Sequence, residues 1–289
     1  MRILVIGNGF IGKSITQKLY TEGHELLNFS KSPKIEMPCK QILGDIFDLN
    51  ALIETLRWKP EVIIHTAWIT APGIYRSDLS NHEFAQSTID FVKSILNSSV
   101  EHLVVLGSCA EYGHRSSPST AGVTPLYPNS LYADQKVVTL RAIAEFLTHS
   151  EIRFTWARVF YPYGPGQDSK RLIPYLIEAL KSERPIELAD TSSFYDWVSV
   201  RDIASAISWI VSKRISNEID IGTSFGFTNL EILNNLIELM PNISNARNLG
   251  PHKVGISEVF VVGKDSPILK SGWLPKDSLK SGLEWVLES

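Results

Sequence analysis

Short, mainly apolar runs alternate along the first half of the chain with segments whose apolar residues recur every three or four positions. Because the runs lack the polar alternation of a half-exposed strand, they predict strands that are buried on both faces. The predicted strands cover residues 2–6, 25–29, 41–44, 61–65, 101–106 and 152–157. The helices predicted between them cover residues 13–20, 51–58, 81–97 and 132–147. This order of elements predicts an α/β protein with a doubly wound parallel sheet.

The pattern changes after residue 164, where the predicted elements are shorter and less regularly ordered. Strands are predicted at residues 185–188, 194–200 and 218–221, and helices at 171–180, 203–211, 229–240 and near the C-terminus. We therefore expect residues 1–164 to form the main domain, with a return to its sheet at about 195–224. Residues 165–194 and 225–289 are expected to form a smaller, interleaved C-terminal lobe.

A glycine-rich turn joins the first predicted strand directly to the first helix. Its residues are Gly7, Asn8, Gly9, Phe10, Ile11 and Gly12. In this context one glycine makes a tight turn, another lets the backbone approach a pyrophosphate, and a third brings the helix close to the strand. The N-terminus of the helix then directs its free N–H groups at an anion. The turn therefore predicts a dinucleotide site.

The end of the second predicted strand bears on the choice of dinucleotide. NAD-binding folds usually place Asp or Glu there to bind the ribose 2′-hydroxyl, but this chain has Ser30, Lys31 and Ser32. A hydroxyl and a cation suit a 2′-phosphate, which favours NADP(H), with NAD(H) as the alternative. The same residues would also fit a polar surface turn.

The composition excludes several classes of partner. With 44% hydrophobic and 20% charged residues and a net charge of −3, the chain resembles an ordinary soluble protein. It has no run of Lys or Arg for nucleic acid or an anionic membrane, and no uncharged apolar span of about 18 residues. Cys39 and Cys109 provide neither a disulfide framework nor metal-ligand spacing. We expect a cytoplasmic protein with no metal, nucleic-acid or membrane partner.

Candidate chemistry follows the fifth predicted strand. Ser108 lies at the carboxyl end of that strand, and Tyr132 and Lys136 share one face of the next helix because they are four residues apart. A nearby ammonium lowers the pKa of a phenol, and a hydroxyl can bind a carbonyl oxygen. Together the three side chains could protonate a carbonyl while a nicotinamide hydride attacks its carbon. His65 is an alternative base, but a histidine within an apolar strand is more often part of the core.

These motifs are joined by others spread over the whole chain. They are Gly44-Asp45, His65-Thr66-Ala67, Gly107-Ser108-Cys109-Ala110-Glu111-Tyr112-Gly113, Arg158 with Tyr163-Gly164-Pro165, Val198 with Val200 and Asp202, and Gly272-Trp273 with Pro275. With them the chain resembles the extended short-chain dehydrogenases/reductases of the NAD(P)-dependent sugar-nucleotide epimerase/dehydratase family. The resemblance implies a Rossmann domain with a C-terminal substrate lobe, and a homodimer formed through the helices at 81–97 and 132–147.

The resemblance also implies roles for individual residues. Tyr132 would be the acid/base, Lys136 would bind the nicotinamide ribose, and Ser108 would contact the substrate oxygen. The other expected cofactor contacts are Asp45 and Ile46 near the adenine, with Thr66, Ala67 and Tyr161. The remaining expected substrate contacts are Trp68, Glu111, Tyr161 and Arg171.

Departures from the family pattern reduce the number of reactions expected for this chain. Cys109 and Ala110 replace the Asp-Glu pair of the dehydratases, which disfavours dehydration. Tyr195 stands where many epimerases carry an arginine for the diphosphate, so Arg171 is the candidate cation, or else a solvated helix residue. The sequence thus favours an NADP(H)-dependent oxidoreductase that reduces the 4-keto group of a nucleotide-activated deoxysugar. The alternatives are a 4-epimerase or dehydrogenase with bound NAD, and a non-catalytic dinucleotide sensor, which an intact Tyr132 disfavours.

Overall fold

A seven-stranded parallel sheet forms the centre of the computed structural model, which describes residues 1–34, 37–241 and 257–289. Its strands are β1 (Arg2–Ile6), β2 (Glu25–Ser30), β3 (Lys40–Leu43), β4 (Val62–His65), β5 (His102–Ser108), β6 (Arg153–Val159) and β10 (Asn217–Ile221). They are ordered β10-β6-β5-β4-β1-β2-β3. The doubly wound parallel sheet predicted from the apolar runs is confirmed.

Helices cover both faces of this sheet. They are α1 (Phe10–Thr21), α2 (Leu49–Glu54), α3 (Ser80–Ile95), α4 (Leu131–Leu147) and α6 (Val200–Lys213). On one face α1 and α6 pack against Ile3 and Val5 of β1, and on the other face α3 and α4 pack against Leu4 and Ile6. Because β1 buries side chains on both faces, it shows no polar alternation.

The other strands and α-helices of the described residues build a smaller lobe and its connections. They are β7 (Tyr161–Tyr163), β8 (Phe194–Tyr195), β9 (Trp197–Ser199), β11 (Val259–Phe260), α5 (Leu172–Lys181), α7 (Asn229–Leu239), α8 (Pro267–Lys270) and α9 (Leu279–Glu288). Helices α5, α7 and α9 share an apolar core that includes Leu176, Leu233 and Leu283. The proposed domain limits stay a prediction, and residues 242–256 of the lobe lie outside the described part.

Two predicted strands of this region differ from the structure. Residues 185–188 form no strand among the described residues: Ile186 makes only an isolated bridge, and Ile186 and Leu188 are buried in the apolar core of the lobe. The segment predicted at 194–200 is divided at Asp196 into β8 and β9. The chain changes partner at this residue, because β8 pairs with β11 and β9 pairs with β7. The buried Asp196 carboxylate accepts hydrogen bonds from the backbone N–H groups of Thr223 at 2.7 Å and Ser224 at 2.9 Å.

No helix in the described ranges has the length and apolar character that crossing a bilayer requires.

Candidate active site

A cleft of about 820 Å³ opens where the order of the sheet reverses, between β1 and β4. This is the place at which doubly wound sheets bind ligands. Every cofactor-binding residue expected from the sequence lines it, although contact with a cofactor stays a prediction. The lining residues of that set are Gly7, Asn8, Gly9, Phe10, Ile11, Gly12, Ser30, Lys31, Asp45, Ile46, Thr66, Ala67, Tyr132, Lys136 and Tyr161.

The glycine-rich turn has the geometry of a pyrophosphate cradle. Gly7 has φ +103°, and a Cβ there would lie 2.5 Å from the Thr66 hydroxyl oxygen, so no larger residue fits. Gly9 caps α1 without any side-chain hydrogen bond, and a Cβ on it would meet nothing within 4 Å because it faces open space. The N-cap residue thus supplies no side-chain acceptor to the first N–H groups of α1, and the turn fits the pyrophosphate of a dinucleotide.

The loop after β2 brings a cation and a carboxylate together at one end of the cleft. The ammonium of Lys31 lies 3.0 Å from Asp45, and the Lys31 side chain is 79% exposed. The pKa of Asp45 is lowered, first by a hydrogen bond from the backbone N–H of Phe47 and then by Lys31. Lys31 thus brings an exposed positive charge to this end of the cleft, and Asp45 offsets part of it.

Ser108, Tyr132 and Lys136, separate in the sequence, lie together in this cleft. Ser108 ends β5 and caps the 3₁₀ helix Cys109–Tyr112, while Tyr132 lies in the first turn of α4 and is buried. The pKa of Tyr132 is raised, chiefly because burial penalises the phenolate, and a hydrogen bond with the Ser108 side chain opposes this. The sequence predicts a lowered pKa for Tyr132 because of the nearby Lys136. That prediction is wrong in direction, because the effect of burial on the phenol is larger.

Lys136 lies on the same face of α4 as Tyr132, with its ammonium 6.0 Å from the centre of the phenol ring. The ammonium is buried and donates a hydrogen bond to the backbone carbonyl of Leu106 at 2.7 Å. Burial lowers the pKa of Lys136 to about 7, and the charge of Glu111 acts in the opposite direction. The amine therefore titrates near neutrality.

Glu111 lies beneath the cleft and does not line it, so we assign it no contact with substrate. Its completely buried carboxylate accepts hydrogen bonds from the Ser108 N–H at 2.7 Å, the Trp156 indole at 3.0 Å and Arg158 Nε at 2.6 Å. Arg158 is also fully buried, and its Nη2 donates a second hydrogen bond to the carboxylate of Glu218 at 2.5 Å. This network fixes the backbone of Ser108. The sequence suggested Glu111 from proximity alone and did not reveal the network.

The other end of the cleft has an aromatic wall and a cationic wall. Tyr161 and Tyr195 form the aromatic wall with Trp197 and Phe260, and the ring centres of Tyr161 and Tyr195 lie 4.6 Å apart. Trp68 and Arg171, both expected to contact substrate, also line the cleft.

Arg171 and Arg76 supply the cationic wall. Arg171 donates to the carbonyl of Thr70 at 2.6 Å and stacks on Tyr75, and Arg76 donates to the amide oxygen of Asn129 at 3.2 Å. Within the described residues neither guanidinium has a carboxylate partner within 4.0 Å. Sequence reasoning missed Tyr75 and Arg76 as site residues. The length of the loop at 69–80, between a strand end and a helix, was the signal for them.

His65 belongs to the core. It is buried, does not line the cleft, and lies 3.5 Å from the hydroxyl of Thr88. Burial lowers its pKa to about 3, so the imidazole is neutral. A role as catalytic base is therefore not supported.

Comparison with known proteins places these features in context. The model of the NAD-dependent epimerase/dehydratase family matches residues 3–222. A UDP-glucose 4-epimerase of Lactobacillus helveticus is 24% identical over 96% of this chain and 92% of its own length. The dTDP-6-deoxy-L-talose 4-dehydrogenase (NAD(+)) of Aggregatibacter actinomycetemcomitans is 25% identical over 74% and 82% of the two chains.

Among solved structures, the UDP-glucose 4-epimerase of Thermus thermophilus, in complex with NAD, has the same fold. Its TM-score is 0.87 at 22% identity, and the alignment covers 100% of this chain and 98% of that one.

Proposed function

Because this chain belongs to the NAD-dependent epimerase/dehydratase family, we propose that it is an NADP(H)-dependent reductase of the 4-keto group of a nucleotide-activated deoxysugar. The observation that carries the proposal is the convergence of Ser108, Tyr132 and Lys136 in the cleft that also contains the pyrophosphate cradle. A purely structural nucleotide site needs no such set, which argues against a non-catalytic sensor.

Each of the three side chains has a defined part in the proposed reaction. The nicotinamide, when bound, supplies the hydride. Tyr132 gives its proton to the carbonyl oxygen, and its raised pKa supports this role because the phenol stays protonated at neutral pH. The Ser108 hydroxyl donates a hydrogen bond to the same oxygen, while Lys136 binds ribose hydroxyls and favours the negative charge that develops on Tyr132. The carboxylate of Glu111 keeps Ser108 in place.

Water elimination is disfavoured by the residues that follow Ser108. Dehydration needs an acid and a base beside the sugar, but Ala110 has no ionisable group and the Cys109 thiol is buried. Burial raises the pKa of Cys109, so the thiol stays neutral and is a poor base. Glu111 is held by its donors below the cleft.

A second candidate is a 4-epimerase or 4-dehydrogenase with NAD. The specific observation in its favour is the ion pair between Lys31 and Asp45, because a carboxylate at this position repels a 2′-phosphate. The names of the relatives from Lactobacillus helveticus and Aggregatibacter actinomycetemcomitans, an epimerase and an NAD(+)-dependent dehydrogenase, point the same way.

Denaturing the purified protein and identifying the released nucleotide separates the two candidates. For a reductase we expect little bound nucleotide and tighter binding of added NADPH than of NADH, measured by nicotinamide fluorescence. Release of about one NAD per chain would contradict the reductase and support the epimerase.

Lys31 and Asp45 are expected to control cofactor choice in opposite directions. Lys31→Asp should shift the ratio of kcat/KM for NADPH over NADH about tenfold or more towards NADH, because it places an acid at the 2′-phosphate. Asp45→Asn should raise that ratio by about two- to fivefold, because it frees Lys31 from an exposed ion pair whose interaction free energy corresponds to a factor of this size. Lys34→Asp, an exposed change outside the cleft, is the control. An unchanged ratio in both variants would exclude this loop from 2′ recognition.

Arg171 is the proposed partner of the substrate diphosphate, together with Arg76. Arg171→Gln is expected to raise KM for the nucleotide sugar by about tenfold with a smaller change in kcat, because the lost charge contacts a part of the substrate that does not react. Arg57→Gln, an arginine that is 81% exposed and lies outside the cleft, is the control. A fall in kcat at constant KM would place Arg171 at the reacting group instead.

We also propose a homodimer formed through α3 and α4. Supporting this, α4 leaves Val138 and Phe146 exposed at 44% and 38%. Sedimentation equilibrium should give twice the mass of the chain, and a monomer at micromolar concentration would contradict the proposal.

A further inference from the structure

The ammonium of Lys136 lies over the ring of Trp68, 3.8 Å from the ring centre. No carboxylate of the described residues lies within 4.0 Å of that ammonium. We propose that Trp68 is a positioning residue, whose indole face takes the place of a counter-ion and holds Lys136 charged and directed towards the cleft. This assigns Trp68 a role through Lys136 rather than the substrate contact expected from the sequence.

Few other groups near Lys136 can stabilise the positive charge of its ammonium. Among the described residues its one hydrogen bond is to the carbonyl of Leu106 at 2.7 Å, and the ring of Trp156 lies farther away than that of Trp68, at 5.8 Å. Of the titratable groups around it, Tyr132 and His65 are neutral, and burial raises the pKa of the Glu111 carboxyl while Arg158 opposes that rise. The carboxylate of Glu111 is already bound to Arg158. Besides the carbonyl of Leu106, the face of Trp68 is therefore the closest group that favours the ammonium over the neutral amine.

The protein fixes the orientation of Trp68 without help from a ligand. The indole N–H donates to the side-chain oxygen of Asn81 at 2.8 Å. Asn81 is fully buried, and its own amide donates to the carbonyls of Tyr75 and Asp78, each at 2.7 Å. Phe84, also on α3, stacks against the indole ring with centres 5.8 Å apart. The N-terminal part of α3 thus holds Trp68 with its face towards Lys136.

The contact acts on the pKa of Lys136 against burial, which lowers it. A desolvated cation–π contact favours the charged form by about one pKa unit. Burial lowers the pKa of Lys136 to about 7, so loss of the indole face makes the amine largely neutral at working pH. The inference rests on the proposed function in one respect only, namely that turnover requires a charged Lys136.

The pKa of Lys136 can be measured without any substrate, by NMR of lysine labelled with ¹³C at Cε and assigned with the Lys136→Met variant. Trp68→Leu is expected to lower this pKa by about one unit. Trp68→Phe, which keeps an aromatic face, should restore at least half of that shift. The matched control is Trp209→Leu, because Trp209 lies under another ammonium, Lys213, at 4.9 Å and donates its indole N–H to Ser271 at 3.0 Å.

An unchanged Lys136 pKa in a folded Trp68→Leu protein would overturn the inference. Should that variant fail to fold, Trp68→Met makes the same test. In a kinetic arm, Trp68→Leu should move the alkaline limb of kcat to lower pH by a similar amount, which a merely structural defect would not do. If the pKa falls but no variant or wild-type protein turns over, the inference stands and the proposed function fails. If the wild-type protein turns over and the Lys136 pKa is the same in Trp68→Leu, the inference fails and the proposed function stands.

Discussion

Replacing Tyr132 by phenylalanine is expected to lower kcat for carbonyl reduction by about 10²–10⁴-fold, the range for loss of a positioned general acid. The substitution removes one oxygen atom, and the ring keeps its edge-on contact with Tyr75 at 4.9 Å. Because the phenol is the group proposed to supply the proton, turnover is lost while the pyrophosphate cradle is untouched. NADPH affinity should therefore change by less than about threefold, measured by fluorescence titration.

Tyr75→Phe is the matched control for this prediction. It removes only a hydroxyl and keeps the ring face on which Arg171 lies, and Tyr75 is not a member of the proposed catalytic set. We expect it to retain most activity. Comparable turnover in Tyr132→Phe and the wild type would remove Tyr132 from the mechanism.

Replacing Arg158 by methionine is expected to lower the free energy of unfolding by about 3–5 kcal/mol, because it leaves the carboxylate of Glu111 buried without a counter-ion. Both side chains of this pair are completely buried, and Arg158 Nε lies 2.6 Å from the Glu111 carboxylate. Urea unfolding followed by circular dichroism measures the loss. Arg57→Met breaks an ion pair with Glu54 in which both side chains are exposed. It should lower the free energy of unfolding by less than about 1 kcal/mol.

A double variant distinguishes an unpaired charge from poor packing. Adding Glu111→Gln to Arg158→Met removes the stranded charge, so the double variant should recover part of the lost stability. Equal stability of the single and double variants would show that the methionine side chain, rather than the unpaired carboxylate, causes the loss.

The fold was predictable because a parallel sheet buried on both faces leaves continuous apolar runs. Arg2–Ile6 is a strand at the predicted limits. The strand predicted at residues 185–188 was wrong: Ile186 makes only an isolated bridge, and Ile186 and Leu188 are apolar because they are buried in the core of the lobe, mainly among helices. Composition alone does not separate these two kinds of burial.

The site was predictable where spacing determines geometry. Tyr132 and Lys136 share a face because a helix repeats every 3.6 residues. The position of Glu111 could not be predicted, because the direction of its side chain depends on a reciprocal cap. The Glu111 carboxylate accepts a hydrogen bond from the N–H of Ser108, and the Ser108 hydroxyl accepts one from a backbone N–H of the 3₁₀ helix. Arg76 lies in an irregular loop, where no periodicity indicates which side chains face the cleft.

The proposed reduction is tested by transfer of deuterium from 4-deuterated NADPH to a nucleotide-activated 4-keto-deoxysugar, followed by NMR of the product. We expect deuterium at C4 of the sugar, one NADPH oxidised for each hydroxyl formed, and no transfer with Tyr132→Phe. Interconversion of 4-epimers without net oxidation of cofactor, or deuterium absent from C4, would contradict the proposed reduction.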